Sequence, residues 1–368
     1  PDNMIYNLEL GVAFLAGCLF SAMVIPRISL VAFKLRLFDP MNSRKIHTEC
    51  IPRLGGVAFF PCIIVAVSLT IVFHSLCLDD DLFGGELTIR FLALCSALFI
   101  LYLMGVMDDL VGVRYRSKFV VQTLCGLLMA FAGCYFNNLY GLFGIHEIPG
   151  YVGIPFTVLI IVYILNAVNL IDGIDGLASG LGMIAFLAFG CLFVYLHRWM
   201  YALLAFASLG VLVPFFYYNV FGQTRRGRKL FMGDTGMLLA VMAIRLSMFD
   251  PVKERLLPGS IVVAFSFLMV PMLDVVRVVL HRMRKRKPLF SPDKNHIHHK
   301  FMALGMPQHR AMLCIVGIAV GFTVLNVCAI HYLSVTVLFL LDVAAWTVMH
   351  FCITGKILKN NRKNHIKD

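Results

Sequence analysis

Residues 151–176 read YVGIPFTVLIIVYILNAVNLIDGIDG and are the most informative segment about the fold. Its first eighteen residues are mostly apolar, and a helix needs about 20 such residues to cross the hydrocarbon core of a bilayer. The run then turns polar at Asn169, Asp172 and Asp175, where two Asp-Gly steps are typical of a helix that ends in a tight loop. The segment therefore predicts a membrane-spanning helix with a polar end.

Runs of this kind recur along the whole chain of 368 residues, of which 60% are hydrophobic and 14% are charged, with a mean hydropathy of +0.85. Soluble domains carry about 25% charged residues. The composition predicts an all-α, polytopic integral membrane protein, with residues 1–368 forming a single transmembrane domain of about 11 helices. The expected spans are 8–33, 55–77, 90–106, 119–136, 151–168, 177–195, 201–219, 235–249, 259–280, 311–330 and 335–353.

The distribution of Lys and Arg predicts the orientation of the chain in the membrane. One set of connecting segments holds 25 of the 32 Lys and Arg, whereas the opposite set holds four. Cytoplasmic loops are enriched in Lys and Arg, so the sequence predicts an N-terminus outside and a C-terminus in the cytoplasm. The net charge of +12 then reflects these loops and not a nucleic-acid partner. The segments of this cytoplasmic set are 34–54, 107–118, 169–176, 220–233, 281–310 and 354–368.

Residues capable of chemistry collect on the same predicted face. Asp108 and Asp109 close the third span, and Lys118 opens the fourth. Adjacent carboxylates at a membrane boundary are costly to desolvate unless a cation or water satisfies them. One interpretation of the pair is a Mg²⁺-associated or proton-accepting site, with Lys118 as a partner for phosphate. The other is a pair of solvated loop acids.

Two further segments suit phosphate and metal chemistry. From Asn166 to Asp175 polar side chains recur at every third residue, so a helix or its frayed end presents them on one side. Asp234 and Thr235 lie between two glycines, shortly after three arginines and a lysine. Such residues cap helices, and the exposed N–H groups of a helix start favour an anion such as phosphate.

The longest basic segment holds three histidines within four residues, His296, His298 and His299. They could ligate zinc, but they suit pyrophosphate oxygens better, because the sequence offers no nearby cysteine as a further ligand. A weaker candidate in the segment 34–54 contains Asp39 and Lys45, which read either as a phosphate contact or as a plain positive loop.

These motifs, in this order and on one face, resemble the polyprenyl-phosphate N-acetylhexosamine-1-phosphate transferase family. The resemblance covers residues 39–300, and the spacing His-Ile-His-His is similar to the bacterial branch that starts O-antigen, lipopolysaccharide, teichoic acid and related cell-wall glycans from UDP-GlcNAc. The peptidoglycan branch, which uses UDP-MurNAc-pentapeptide, has three consecutive histidines at that position.

The resemblance implies specific roles. Asn169 and Asp234 would bind Mg²⁺, with Mn²⁺ as a possible substitute, while Lys118 would contact the pyrophosphate and Asp175 the nucleobase. Either Asp108 or Asp109 would deprotonate the lipid phosphate, and Asp234 would count among the catalytic residues. The remaining family positions, which would line the substrate, are Asp39, Lys45, Asp172, Asn219, His296, His298 and His299.

The implied reaction transfers a HexNAc 1-phosphate, GlcNAc 1-phosphate in the first instance, from a UDP-sugar to undecaprenyl phosphate and releases UMP. Direct displacement and a covalent aspartyl-phosphate both stay open. The expected setting is the inner membrane of a bacterium, with the active site on the cytoplasmic face and the chain as a homodimer among membrane lipids. The alternatives are a phospho-MurNAc-pentapeptide translocase and an anionic-metabolite transporter, which would place ionisable residues near the midplane of the bilayer.

Overall fold

The computed structural model describes residues 2–35, 55–77, 89–222, 235–248, 260–286, 288 and 295–365. These parts of the chain fold almost entirely into helices, with one short hairpin. The helices are α1 Asp2–Lys34, α2 Phe59–Cys77, α3 Ile89–Val111, α4 Tyr115–Phe131, α5 Gly150–Ile171, α6 Leu177–Tyr195, α7 Trp199–Phe221, α8 Gly236–Ser247, α9 Ser260–Ser266, α10 Met269–Arg284, α11 Ile297–Ala303, α12 Gln308–Ala329 and α13 Val335–His365. The hairpin pairs β1 Asn138–Leu142 with β2 Ile145–Glu147.

The polytopic helical architecture predicted from the sequence is confirmed. Within the described ranges, eight helices are long and apolar enough to cross a membrane: α1, α2, α3, α5, α6, α7, α12 and α13. The other three predicted spans correspond to α4, to α8 and to the pair α9 and α10. The number eleven is therefore not confirmed, although each predicted span contains helix.

Helix α8 differs most from the expected span 235–249. It has 12 residues in the described part of the chain, which is about 18 Å of helix against a hydrocarbon thickness of about 30 Å. All 12 of its residues are buried against neighbouring helices, which include α5, α6 and α9. Hydropathy predicted its apolar character correctly, but the surroundings of α8 are protein and not lipid.

The expected span 119–136 is wrong at its C-terminal end. Helix α4 ends at Phe131, where Gly133 takes a φ of +85° and the N–H of Cys134 returns to the carbonyl of Met129 at 3.0 Å. A left-handed glycine after the last turn is a common helix stop. The chain then enters the β1–β2 hairpin, so the all-α prediction omitted a small antiparallel element.

The expected span 259–280 is divided into two helices. A turn at Phe267 and Leu268 separates α9 from α10, and Pro271 lies in the first turn of α10. Proline has no N–H to donate to the carbonyl four residues earlier, so Pro271 cannot continue the hydrogen bonds of α9 across the turn into α10.

The two ends of the helix assembly are distinct. At one end Phe143 of the hairpin region donates its N–H to Thr336 at the start of α13, at 2.8 Å. Tyr6 near the start of α1 stacks on Trp199, the first residue of α7. At the other end, called here the motif end, lie the α3–α4 loop, the turn after α5 and helix α11. Asn219 near the end of α7 also reaches this end.

A separate apolar cluster lies beneath the motif end. It joins Ile171 at the end of α5 and Ile174 of the following turn to Ile297 and Phe301 of α11, together with residues of α12 and α13. Helix α11 has seven residues and is too short to be stable alone, so this packing is what keeps it in place. The cluster thereby fixes the histidine motif against the turn after α5.

Candidate active site

A cleft of about 140 Å³ opens at the motif end where α2, α3, α4, α5 and the start of α8 meet. One side of the cleft is apolar and is formed by α2 and α3. The other side is polar and combines the acidic pair with a cation and two amide-bearing positions of α5. The apolar lining includes Phe59, Phe60, Ile63, Leu98, Leu101 and Tyr102, and the polar lining includes Asp108, Asp109, Lys118, Gln122, Asn166, Asn169 and Thr235.

Asp108 holds the loop between α3 and α4 together. Its Oδ1 accepts the backbone N–H of Val113 at 2.9 Å, and its Oδ2 accepts Lys118 Nζ at 2.5 Å. The Asp108 and Lys118 side chains are each about one-third exposed, at 34% and 31%. The ion pair therefore remains open to solvent and to an incoming phosphate, which could compete with Asp108 for the ammonium group.

Gln122 of the cleft was not predicted from the sequence, and Asn166 was predicted only as a member of the polar series 166–175. Gln122 on α4 is buried, and its Oε1 accepts Asn166 Nδ2 at 2.8 Å. The same Asn166 nitrogen donates to the carbonyl of Val162 at 2.7 Å. This bond links α4 to α5 directly beneath Lys118 and Asn169. A lone Gln within an apolar run is the signal that sequence reading could have used, because unpaired amides are costly in a membrane.

The start of α8 reaches the cleft through Thr235, and the packing there is very close. A Cβ atom placed on Gly236 would lie 2.9 Å from Leu165 Cα of α5. Only glycine permits this approach of the α8 terminus to α5. Asp234 itself lies outside the described residues, but its neighbour Thr235 lines the same cleft as Asn169.

The turn after α5 carries Asp172 and Asp175, both partly exposed. At Asp172 the backbone has φ −72° and ψ 53°, and the N–H of Gly173 donates to the carbonyl of Ile171 at 2.7 Å, which is an inverse γ-turn. Asn219, buried at the end of α7, accepts the N–H of Gly176 through Oδ1 at 2.6 Å. In the structure Asn219 thus holds the turn that presents the two aspartates.

The histidine motif lies against this same turn. His298 is buried, and its ring is so close to Gly173 that an added Cβ would lie 2.1 Å from Nε2. His299 is in ring contact with His298, with 4.3 Å between centroids. His296 is buried as well, and its Nδ1 bonds Asp274 Oδ2 of α10 at 2.8 Å. The structure thus joins two motifs that are far apart in the chain.

The protonation of this region follows from burial. The pKa of His298 is lowered to about 3, chiefly by burial and also by the neighbouring rings of His299 and His296, against an opposing effect of Asp274. His298 is therefore neutral near pH 7. Burial also lowers the pKa of Lys300 to about 8, and this ammonium donates to Thr354 Oγ1 of α13 at 2.8 Å.

The predicted site residues thus fall into three groups. Asp108, Asp109, Lys118 and Asn169 line the cleft, whereas Asp172, Asp175, Asn219 and the three histidines form the adjoining turn and its support. Asp39, Lys45 and Asp234 lie outside the described residues. Across the ranges that are described, no trio of His, Cys, Asp or Glu is placed to hold a metal ion. Asp274 was not among the predicted site residues, although an acid within an apolar span is itself a signal of function.

Known proteins resemble the chain over the same regions. Residues 91–249 match glycosyl transferase family 4. A probable undecaprenyl-phosphate N-acetylglucosaminyl 1-phosphate transferase of Bacillus subtilis (strain 168) is 28% identical over 338 residues, which is 91% of this chain and 89% of the relative. The undecaprenyl-phosphate alpha-N-acetylglucosaminyl 1-phosphate transferase of Yersinia pestis is 29% identical over 88% of this chain and 86% of its own length. The transferase of the same name from Escherichia coli (strain K12) is 28% identical over 88% of this chain and 85% of its own length. The resemblance predicted from the motifs is confirmed.

Proposed function

We propose that this chain, which matches glycosyl transferase family 4 over residues 91–249, transfers GlcNAc 1-phosphate from UDP-GlcNAc to undecaprenyl phosphate and releases UMP. The observation that carries the proposal is the cleft. It places an acidic pair, a lysine and an exposed asparagine at the end of an apolar wall formed by two membrane-length helices. A prenyl phosphate has the same division into an apolar chain and an anionic head. Three relatives of known name support the choice of substrates.

The chemistry proposed for the cleft needs mainly positioning and charge neutralisation. An oxygen of the lipid phosphate attacks the β-phosphorus of the UDP-sugar. The bond between the β-phosphorus and the bridging oxygen breaks, and UMP leaves with that oxygen. Lys118 neutralises phosphate charge, and Asp108 keeps the ammonium in place before substrate arrives. Asp108 and Asp109 line the cleft, and one of their carboxylates would accept a proton from the lipid phosphate.

The donor would occupy the adjoining turn. Asp175 would lie by the nucleobase, while Asp172 and the three histidines would face the sugar-phosphate part. Two contacts support this placement. Asn219 holds the turn from α7, and His298 packs on Gly173 of the same turn. A neutral His298 suits a role as a hydrogen-bonding group beside phosphate oxygens and argues against a role as a fixed cation.

The proposal includes Mg²⁺, for which the donor types fit. Asn169 offers an exposed amide oxygen in the cleft, and Asp234 precedes Thr235 at its rim. Mg²⁺ prefers such oxygen ligands and completes its shell with substrate phosphates and water, and Mn²⁺ would accept the same ligands. When bound, the ion would neutralise pyrophosphate charge. Asn169 and Asp234 would hold it on the donor side of the cleft.

The proposed setting is the bacterial inner membrane with the motif end in the cytoplasm. The bias of Lys and Arg toward the motif-end segments supports this orientation. Contacts of Tyr6 with Trp199 and of Thr354 with Lys300 support termini at opposite ends of the helix assembly. A homodimer among membrane lipids completes the proposal.

The test is a transfer assay with purified protein in detergent, undecaprenyl phosphate, Mg²⁺ and radiolabelled UDP-GlcNAc. We expect label in the organic phase and UMP in solution, both abolished by EDTA and by Asp234→Ala. His309→Gln, an exposed histidine at the start of α12, is the control that should leave transfer unchanged. Transfer from UDP-MurNAc-pentapeptide instead would identify the peptidoglycan-type reaction. If folded protein transfers from no UDP-sugar, the enzyme proposal is wrong and the transporter alternative returns.

A further inference from the structure

Asp274 of α10 carries a fully buried carboxylate that is hydrogen-bonded to the start of helix α11, the helix with His298 and His299. Asp274 has no exposed surface. Its Oδ2 bonds His296 Nδ1 at 2.8 Å, and its Oδ1 accepts the N–H of Ile297 at 3.1 Å. Arg277, one turn further along α10, donates Nη2 to Oδ1 at 2.9 Å. Burying a carboxylate is costly, and this one is matched by three hydrogen-bond donors from two elements.

These bonds fix both the ring and the backbone of the motif. A carboxylate only accepts hydrogen bonds, so the His296 proton resides on Nδ1 and the ring orientation is set. The Ile297 N–H is one of the unpaired donors of the first turn of α11, and Asp274 pairs it. Arg277 also donates to the carbonyl of Asn295, which ties the residue before the motif to the same pair.

The anchored helix α11 contacts the turn after α5, residues 172–176, which would bind the nucleotide-sugar donor and is called here the donor turn. Ile297 is fully buried beside Ile171 and Ile174, and His298 packs on Gly173. A shift of α11 at its anchored start would therefore move His298 relative to the turn with Asp172. The cleft with Asp108 and Lys118 has no lining residue from α10 or α11 in the described parts of the chain.

We propose that Asp274, together with Arg277, is a positioning residue that sets the histidine motif for the nucleotide-sugar donor and leaves acceptor binding untouched. The inference rests on the proposed function for the identity of the two substrates. Asp274 does not touch the reacting atoms. It acts through His296 and through the backbone of Ile297, which hold His298 against the donor turn.

The experiment compares Asp274→Asn with Asp342→Asn. Both aspartates are buried, but Asp342 of α13 accepts a hydrogen bond from Asn326 of α12 and not from the histidine motif. Asparagine keeps the size and one acceptor oxygen and removes the charge. For Asp274→Asn we expect the KM for UDP-GlcNAc to rise about 10-fold or more, as for a lost charged hydrogen bond, with the KM for undecaprenyl phosphate within about 2-fold. Asp342→Asn should change neither KM.

A second readout does not depend on turnover. UDP-GlcNAc should raise the melting temperature of the wild type and of Asp342→Asn, and at equal concentration it should raise that of Asp274→Asn much less. If Asp274→Asn does not fold, Arg277→Gln removes the bonds to Asp274 and Asn295 and should give the same rise in donor KM.

The outcomes separate the two proposals. An unchanged donor KM and an unchanged melting shift in Asp274→Asn would overturn the positioning role, as would an equal rise in both KM values. If Asp274→Asn lowers only the fraction of active protein and leaves both KM values as in the wild type, the role of Asp274 is merely structural. That result would also overturn the positioning role. Absence of transfer by the wild type, with donor-dependent stabilisation that Asp274→Asn loses, would reject the proposed reaction and retain the positioning role.

Discussion

At the scale of single residues, charged groups of the motif end are paired before substrate binds. Asp108 bonds Lys118 and the Val113 N–H, and Asp274 bonds His296 and the Ile297 N–H. The two carboxylates differ in exposure, since Asp108 is about one-third exposed and Asp274 is fully buried. Lys118 can exchange Asp108 for a phosphate, whereas Asp274 has the fixed surroundings of a structural anchor.

The lowered pKa of His298 predicts that the stability of the protein falls at acid pH. Its pKa falls from 6.5 to about 3 on folding, so the unfolded chain binds the proton more readily. Above about pH 6.5 the group is neutral in both states and has no effect. As the pH falls from 6.5 toward 3, protonation favours the unfolded state, by at most about 1.4 kcal/mol per pH unit.

The measurement is the melting temperature in detergent between pH 7.5 and pH 4. The wild type should lose stability toward acid more steeply than His298→Gln, which has no titrating ring. His309→Gln should follow the wild type, because His309 is exposed. Equal pH dependence in the wild type and His298→Gln would contradict the burial argument.

At the scale of elements, the position of α8 decides the shape of the cleft. The helix is wholly buried, and its first residue lies against α5 with no room for a side chain. The distance between the cleft residues Thr235 and Asn169 is therefore set by this contact between α8 and α5. Small residues at helix crossings allow such approaches in membrane proteins, where packing and not the hydrophobic effect drives association.

We expect Gly236→Ala to lower both stability and transfer activity, because the new Cβ would meet the Leu165 backbone at 2.9 Å. Overpacking of this kind costs about 1–3 kcal/mol. The control is Gly317→Ala in α12, where an added Cβ meets nothing within 4 Å and alanine favours the helix by up to about 1 kcal/mol. Melting temperature and transfer rate measure both effects. A neutral Gly236→Ala would show that α8 can move away from α5 without affecting the cleft.

At the scale of the whole molecule, the two ends of the helix assembly should face different compartments. His146 of β2 and Lys359 of α13 are both exposed, His146 at the hairpin end and Lys359 beyond Thr354 at the motif end. In intact cells a membrane-impermeant thiol reagent should label His146→Cys and not Lys359→Cys, and permeabilised cells should allow both. The unsubstituted protein, with its own free cysteines, gives the background. The reverse pattern would invert the proposed orientation.

Much of this molecule is determined by sequence alone, and the reason is the solvent. In a bilayer each backbone polar group needs an internal partner, so long apolar runs such as 151–168 and 177–195 must become helices. The hydrophobic pattern also gave the polytopic class, and short motifs gave the resemblance, because their Asp, Asn and His spacing stands out against an apolar background.

Which of these groups come into contact follows from the three-dimensional packing and not from the sequence pattern. Hydropathy measures preference for an apolar medium and does not distinguish lipid from protein, so α8 resembled a span although it is enclosed by other helices. Spacing along the chain cannot report that His298 packs on Gly173 or that Asp274 bonds His296, because both contacts join separate elements. Close packing and the pairing of buried charges set these contacts, and both depend on the positions of atoms that only the folded chain brings together.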